Sequence, residues 1–337
     1  MTINVIQLFM KIYPSEMKMK LFAPSYYNKF KCLAEQCKHN CCIGWEIDID
    51  SETLAYYKNI KGPLGKRLKN GIFETETSAQ FILTEDERCP FLNEKGLCDI
   101  ITELGESSLC NICADHPRFR NYFSDRVETG IGLCCEGAAD IILNTKEKAD
   151  FILLDDDGGD ETASDGEKEF FTFRKELFSI ITDRSVSVRE RIKTMLNYTG
   201  VSIGEKTNRE LAEIYLKLER LDSEWEEKLN GLINYNGSFD LPCDENIEIA
   251  FEQLAVYFLQ RQLPIFFENS NDSAGVIFTA VSVKFIMALC SVVLAERNKL
   301  TVDDIAQIAR MYSAEIEYSD ENTEALIEMI GVKEVSE

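Results

Sequence analysis

The chain has 337 residues, 45% of them hydrophobic, and its 36 lysines and arginines are outnumbered by 59 aspartates and glutamates, giving a formal charge of −23. This length can bury substantial cores and indicates two domains, or one large domain with an appended module. The negative charge repels a phosphate backbone and argues against nucleic acid and anionic membranes as partners, whereas a basic protein or a cationic cofactor is electrostatically easier to accept.

The start of the chain and its most apolar segment both predict a cytoplasmic protein. Residues 1–20 contain no basic segment followed by an uninterrupted apolar stretch and a small-residue cleavage site, so no secretory signal is predicted. We interpret them as a helical N-terminal extension without chemistry. The apolar stretch 274–294 is interrupted by Lys284 and predicts a buried helix instead of a membrane span.

Two short β-rich stretches predict a small hairpin in the first half of the chain. In one of them Trp45, Ile47 and Ile49 alternate with acidic residues, and the other is 79–83. Ser51 is the expected N-cap of a following helix. The helices predicted in this half are 51–60 and 98–106.

An acidic tract predicts a linker over residues 151–168. Between Asp155 and Glu167 it contains acids, glycines and small polar residues, with Ala163 as the single apolar side chain. Such a segment buries too little surface to offset the entropy lost on ordering.

After this tract, apolar residues recur every three to four positions, which is typical of amphipathic helices. The helices predicted from this spacing are 170–181, 188–196, 207–232, 245–267, 273–297, 301–317 and 320–332. The predicted fold is therefore mainly α with a small β-hairpin. A cysteine-rich metal domain over 21–150 would precede an all-α helical domain over 169–337.

Ten of the twelve cysteines lie between Cys32 and Cys135. In a reducing compartment, clustered cysteines more often bind metal or perform redox chemistry than form disulfides. Pairs such as Cys110-x2-Cys113 can hold one ion from a single turn, as in structural zinc and iron–sulfur sites. Ten cysteines exceed the needs of one four-ligand site, so some are ordinary buried side chains or belong to a second site.

The spacing leaves zinc and an iron–sulfur cluster both open, because neither a ferredoxin-type run nor a zinc-finger pattern occurs. The chain's two histidines, His39 and His116, lie inside the cysteine region. We expect His116 to contact a metal ligand without binding the metal itself, or to lie at the surface.

The order of the motifs resembles that of a known family. The motifs are Phe30-Lys31-Cys32, Cys37-x3-Cys41-Cys42, Gly44-Trp45-x-Ile47-x-Ile49-Asp50, Cys89-Pro90-Phe91-Leu92 with Gly96-Leu97-Cys98, Cys113 with Pro117-Arg118, and Glu128 ahead of Leu133-x-Cys135. In this order they resemble the flagellin lysine-N-methylase (FliB) family. The cysteine region is also similar to YkgJ-type zinc- or iron-chelating domains, but the Trp45 block and the long helical half favour the methylase family.

This resemblance implies a [4Fe-4S] cluster and the transfer of methyl groups from S-adenosylmethionine to surface lysines of flagellin. Cys110 and Cys134 lie outside the pattern. The cysteines that match it, and that the resemblance marks as metal ligands, are Cys32, Cys37, Cys41, Cys42, Cys89, Cys98, Cys113 and Cys135. The alternative is a non-catalytic zinc- or iron-binding module that binds a partner protein through its helical half.

Methyl transfer to lysine needs a neutral amine aligned with a sulfonium, and therefore a group that accepts a proton and surroundings that hold a cationic cofactor. Acidic and aromatic residues suit both tasks. The candidates for catalytic residues are Glu128, Tyr122, Arg118, Asp125 and the face that carries Trp45. The sequence does not locate the S-adenosylmethionine site or predict the oligomeric state.

Two common S-adenosylmethionine motifs are not found. The GxG at Gly130-Ile131-Gly132 runs into cysteines without the expected helix pattern, so a conventional nucleotide-binding fold is not predicted. The radical motif C-x3-C-x2-C is incomplete, since Gly44 follows Cys37-x3-Cys41 where the third cysteine would stand.

Overall fold

The computed structural model describes residues 19–156, 158–159, 161–204 and 206–334. The described chain is mainly helical with small sheets, as predicted. It divides into two compact units, the first containing 31–118 and the second containing 19–30 together with the chain from 119 onward. Residues 1–18 of the predicted extension lie outside the described residues.

The elements are numbered in chain order. The strands are β1 (Lys20–Pro24), β2 (Ile72–Glu74), β3 (Ala79–Phe81), β4 (Arg118–Tyr122), β5 (Arg126–Ile131), β6 (Phe151–Asp156), β7 (Val201–Ile203) and β8 (Val332–Glu334). The helices are α1 (Ser51–Asn59), α2 (Gly62–Asn70), α3 (Asp99–Leu104), α4 (Asn111–Asp115), α5 (Glu136–Asn144), α6 (Asp165–Ile181), α7 (Val188–Thr199), α8 (Asn208–Tyr215), α9 (Ser223–Asn234), α10 (Glu245–Glu268), α11 (Asp272–Arg297), α12 (Val302–Tyr312) and α13 (Asp320–Ile330).

The hairpin of the first unit is formed by β2 and β3, and not by the two predicted segments 45–50 and 79–83. Strand β3 pairs antiparallel with β2, whose residues the sequence did not assign to a strand. The 45–50 segment instead lies along β3, where Ile49 N donates to Ala79 O at 2.8 Å and Phe81 N donates to Ile47 O at 3.0 Å. Its pairing with β3 is limited to an isolated bridge between Asp48 and Gln80.

The N-cap of α1 is Asp50, not Ser51 as predicted. One oxygen of the Asp50 carboxylate accepts from Thr53 N at 2.9 Å, and the other accepts from Asn111 N, in the first turn of α4, at 2.8 Å. A charged acceptor stabilises the exposed amides at a helix start. The same side chain therefore fixes the start of α1 and the loop that enters α4.

The second unit contains a mixed sheet whose four strands all precede residue 169, so among the described residues of 169–337 the all-α prediction fails at the short strands β7 and β8. The strand order is β4-β5-β1-β6, with β1 parallel to β5 and antiparallel to β6. Strands β7 and β8 form a separate antiparallel pair. Residues 19–30, most of which the sequence assigned to the cysteine-rich domain over 21–150, supply β1 to this sheet.

The segment predicted as a linker is ordered at both of its ends. Strand β6 occupies 151–156, because the apolar residues before Asp155 pair with β1. Helix α6 begins at Asp165, where Ser164 and Glu167 form a capping box. The acidic composition therefore marks the turn between a strand and a helix.

The predicted helix 207–232 is broken between α8 and α9. The break is stabilised by Glu315, which is 2% exposed and accepts from the backbone amides of Leu221 and Asp222 at 2.9 and 2.8 Å. Asp222 then caps α9. The predicted helix 301–317 is formed by α12 and by a π-helix over Ser313–Glu317 that directly continues it.

Helices α10 and α11 form the centre of the second unit. By length and composition α11 is apolar enough to cross a membrane, but most of its apolar stretch is buried inside the unit. The prediction of a buried helix over 274–294 is therefore confirmed. Burial on all sides explains its nearly uninterrupted hydrophobic sequence.

A carboxylate in the middle of α10 joins two guanidinium groups. Glu252 is fully buried and accepts from Arg191 Nη1 at 2.7 Å and from Arg184 Nη2 at 2.8 Å. Arg191 is 3% exposed and also donates to the backbone oxygens of Val186 and Ile181. These bonds anchor α7 and the loop before it to the central helix.

We expect Glu252→Gln to lower the free energy of unfolding by about 3–5 kcal/mol, because it leaves buried guanidinium charge without its carboxylate. Chemical denaturation followed by the helical circular dichroism signal measures this change. The control Asp165→Asn alters a 96% exposed side chain in an ion pair with Lys168 and should change stability by less than about 1 kcal/mol. Equal effects of the two substitutions would contradict this role of Glu252.

Candidate metal centre

The apolar core of the first unit contains cysteines drawn from several separate loops. Cys89 and Cys110 are buried members of this core, and three further cysteines pack against it: Cys42, Cys98 and Cys113. All five are thiols, not disulfides. We call these five residues the thiol group.

Backbone and side-chain hydrogen bonds bring the loops of the thiol group together. Cys89 N donates to Cys42 O at 2.8 Å. Asn40 Oδ1 accepts from Cys42 N at 2.9 Å, and Asn40 Nδ2 donates to Gly96 O at 3.2 Å. One asparagine therefore joins the first cysteine loop to the turn that leads into Cys98.

Backbone amides are directed at three of the sulfur atoms. Cys98 precedes α3, and its sulfur accepts from amides in the first turn of that helix. Cys110 precedes α4 in the same way, and its sulfur accepts from the amide of Cys113. The Cys89 sulfur accepts from the two amides that follow Pro90. Amide donors stabilise thiolates, and hydrogen bonds to sulfur tune iron–sulfur centres.

Burial opposes ionisation of the thiol group. It raises the pKa of Cys89 to about 11, and it raises the pKa of Cys98 for the same reason. The Cys113 thiol donates to Cys110, which lowers the pKa of Cys110 and raises that of Cys113. Nearby thiols repel a charge on Cys113 further. Full ionisation of the group therefore requires a cation among the sulfur atoms.

A bound metal ion or metal cluster meets this requirement, because its charge replaces the thiol protons. In the described part of the chain, no three His, Cys, Asp or Glu side chains are arranged to hold a single ion. Both a structural zinc ion and an iron–sulfur cluster are bound by cysteine thiolates, so the thiol group offers the type of ligand that either of them needs.

The other cysteines predicted as ligands lie outside the thiol group. Cys32 and Cys41 are exposed, although the Cys41 thiol contacts that of Cys42. The Cys37 thiol donates to the backbone oxygen of His39 at 3.2 Å. Cys135 belongs to the second unit, where it precedes α5.

The thiol group includes Cys110, which the family pattern left out. Its C-x2-C spacing to Cys113 was the sequence signal that pointed to it. The ring of His116 lies 5.9 Å from that of Trp45, whose indole donates to Cys41 O. These aromatic rings belong to the same unit as the thiol group.

The candidate catalytic residues lie on or near the β4–β5 hairpin. Glu128, in β5, is 2% exposed, and both of its oxygens accept from Arg174 at 2.7 Å. Arg118 begins β4 and donates to backbone oxygens of α4, whereas Tyr122 ends β4. Asp125, in the hairpin turn, pairs with Arg126 at 2.8 Å. Glu128 therefore cannot act as a proton acceptor while its ion pair is intact.

A helix does follow the GxG motif, contrary to the sequence expectation. Strand β5 passes through Gly130, and a short loop from Gly132 leads into α5. A Cβ atom at Gly130 would lie 2.3 Å from the ring of Phe119, and one at Gly132 would lie 2.0 Å from the hydroxyl of Tyr318. A larger residue at either position would displace a neighbouring side chain, and the mixed sheet differs from a nucleotide-binding parallel sheet.

Comparison with known proteins points to one family. Residues 160–337 match the family described as the FliB lysine N-methylase C-terminal domain. The chain is also similar to the lysine-N-methylase of Salmonella typhimurium and to the flagellar biosynthetic protein FliU of Salmonella muenchen, at 27% identity over 130 residues. This similarity covers 36% of the chain, 32% of the lysine-N-methylase and 75% of FliU. The match thus spans about a third of the curated lysine-N-methylase, and no solved structure matches the chain significantly.

We expect Cys89→Ser and Cys110→Ser to reduce the metal content of anaerobically purified protein several-fold, because each removes a core thiol that faces backbone amide donors. Mass-spectrometric metal analysis provides the measurement. Cys32→Ser serves as the control, since this cysteine is exposed. A loss of metal in Cys32→Ser with none in Cys110→Ser would refute the assignment of the thiol group.

Metal binding should strengthen as the pH rises from about 6 to 8. Cys89 has a pKa raised to about 11 and is protonated over this range, so a metal ion must displace its proton. Each proton displaced raises the apparent affinity about tenfold per pH unit. Competition between metal-free protein and a chelator for Zn²⁺, corrected for the chelator's own protonation, tests this, and an affinity that is independent of pH would disprove it.

Proposed function

The chain belongs to the FliB lysine N-methylase family, and we propose that it transfers methyl groups from S-adenosylmethionine to lysine side chains of flagellin. The observation that carries this proposal is the match of residues 160–337 to the C-terminal domain of that family. The relatives support it by their names, one a lysine-N-methylase and the other a flagellar biosynthetic protein.

The proposed cofactor is a [4Fe-4S] cluster held by four members of the thiol group. Cys42, Cys89 and Cys98 come from separate loops, and Cys110, which precedes α4, would supply the fourth thiolate. Such a cluster provides one-electron chemistry at a potential set by hydrogen bonds to sulfur and by solvent exposure. The amides directed at Cys89 and Cys98 are the chain's own means of adjusting that potential.

The charge of the chain suits a lysine substrate. A formal charge of −23 attracts cationic side chains and raises their local concentration at its surface. The lysine must then lose its proton before it attacks a methyl sulfonium, so the reactive amine must leave water or meet a proton acceptor. Since Arg174 occupies both oxygens of Glu128, Glu128 acts as this acceptor only if the ion pair opens.

We expect anaerobically purified protein to methylate flagellin when S-adenosylmethionine is supplied, with mass spectrometry of flagellin peptides locating the modified lysines. Cys89→Ser should reduce the yield of methyl-lysine at least tenfold because it removes a core thiol of the proposed cofactor site. Cys243→Ser should have no effect, because this cysteine is exposed and distant in sequence from the others. A protein with a full complement of iron and sulfide that leaves flagellin unmodified would overturn the proposal.

A further inference from the structure

Helix α2 places one arginine between two cysteine-bearing segments of the first unit. Arg67 Nη2 donates to Pro90 O at 3.1 Å, and Pro90 directly follows Cys89. Arg67 Nη1 lies 2.7 Å from Oδ2 of Asp99, which directly follows Cys98. One guanidinium group therefore contacts the residue after each of these two cysteines.

The planar guanidinium group suits this double contact. Its N–H donors lie in a fixed fork, so Nη1 and Nη2 can each meet a different acceptor at the same time. The central carbon of the Arg67 guanidinium also lies 5.4 Å from the centre of the Phe91 ring, a distance at which a cation and an aromatic ring attract each other. Phe91 is fully buried in the core that contains the thiol group. Three contacts therefore hold the arginine against this core.

The carboxylate that Arg67 contacts is itself held in place. Asp99 Oδ1 accepts from Asn93 Nδ2 at 2.8 Å, so the two oxygens of Asp99 have different partners. Asn93 Oδ1 accepts from the backbone amides of Lys95 and Leu97 at 3.0 and 3.1 Å, in the turn that leads to Cys98. The carboxylate therefore connects the guanidinium to the turn before this cysteine.

Backbone hydrogen bonds close the segment 89–98 on itself. Leu92 N donates to Cys89 O at 3.0 Å, and Leu92 also forms an isolated bridge with Cys98. These bonds define the shape of the loop between the two cysteines. The contacts of Arg67 attach both ends of this loop to α2.

The ion pair of Arg67 is partly open to water. The two side chains are 44% and 17% exposed, and pairs in such positions contribute little to the stability of a fold because water and salt screen them. A weak contact can nevertheless fix the distance between two groups that must bind the same ligand. The location of this contact, directly after two members of the thiol group, suits positioning better than stabilisation.

We propose that Arg67 is a positioning residue for the metal site, which holds Cys89 and Cys98 at the spacing at which both bind one metal ion or cluster. This role rests on the cofactor site proposed above. Arg67 acts through the loop and does not bind the metal, since a guanidinium has no acceptor atom to offer. Ligands that are already in place lose less conformational entropy when the metal binds. Loss of Arg67 should therefore weaken metal binding more than it weakens the fold.

The test measures the affinity of the metal-free full chain for Zn²⁺ by competition with a chelator. We expect Arg67→Met to weaken Zn²⁺ binding at least tenfold, because methionine cannot form either polar contact. Arg67→Lys should recover only part of this loss, since its ammonium lacks the fork that meets two acceptors. The matched control is Lys58→Met, which breaks another ion pair of the same unit, to Glu74 at 2.6 Å, and should bind Zn²⁺ as the wild type does.

A double-mutant cycle tests whether Arg67 acts through the carboxylate. Asp99→Asn removes the charge that Arg67 Nη1 meets, so it should also weaken Zn²⁺ binding. Adding Arg67→Met to Asp99→Asn should then cause a smaller further loss than Arg67→Met causes in the wild type. Fully additive losses would contradict the connection from Arg67 through Asp99 to the turn before Cys98.

The helical circular dichroism and the melting temperature of the metal-free proteins separate positioning from folding. Arg67→Met should keep the helical signal of the wild type and lower the melting temperature by no more than about 5 °C. If Arg67→Met binds Zn²⁺ as the wild type does, or loses affinity together with its helical signal, the positioning role is refuted while the proposed methyl transfer stands. If the wild type itself binds no Zn²⁺, the metal site is refuted together with the role of Arg67, and the methylation assay still tests the transferase separately.

Discussion

Thiols that share one apolar core cannot all ionise unless a positive charge lies among them. This constraint governs the first unit, in which loops and short helices place the sulfur atoms of the thiol group in one core. Asp50, Asn40 and the amides at the starts of α3 and α4 hold these loops in place. The small hairpin and the helices α1 and α2 supply the apolar residues that exclude water. The unit is therefore organised around a group of buried thiols that metal binding would complete.

The second unit handles buried charge by pairing it internally. Its carboxylates Glu128, Glu252 and Glu317 each contact an arginine, and Glu317 also accepts from the hydroxyl of Tyr257 at 2.9 Å. The first pair joins the sheet to α6, the second joins α7 to α10, and the third joins α10 to the π-helix over Ser313–Glu317.

Local patterns predicted most of the helices after the acidic tract, because the spacing of apolar residues is a property of neighbouring residues, whereas α2 and α5 were not predicted. The partners of buried charges were not predictable, since Glu128 and Arg174 are 46 residues apart and Glu252 and Arg191 are 61 apart. The hairpin was assigned to the wrong pair for a similar reason: the 45–50 segment and β2 both border β3, and only the fold shows which pairing is longer. Strand β6 was not predicted, because its apolar residues end where the acidic tract begins. Cys110, which the family pattern left out, lies in the same core as Cys113, as its C-x2-C spacing suggested.

The proposed function depends most on which metal ion or metal cluster the thiol group binds. The most direct test is to determine iron and acid-labile sulfide in anaerobically purified protein, together with the electron paramagnetic resonance spectrum after one-electron reduction. The account predicts about four irons and four sulfides per chain and a signal that disappears in Cys110→Ser. Stoichiometric zinc, with neither iron nor sulfide and no signal, would contradict it.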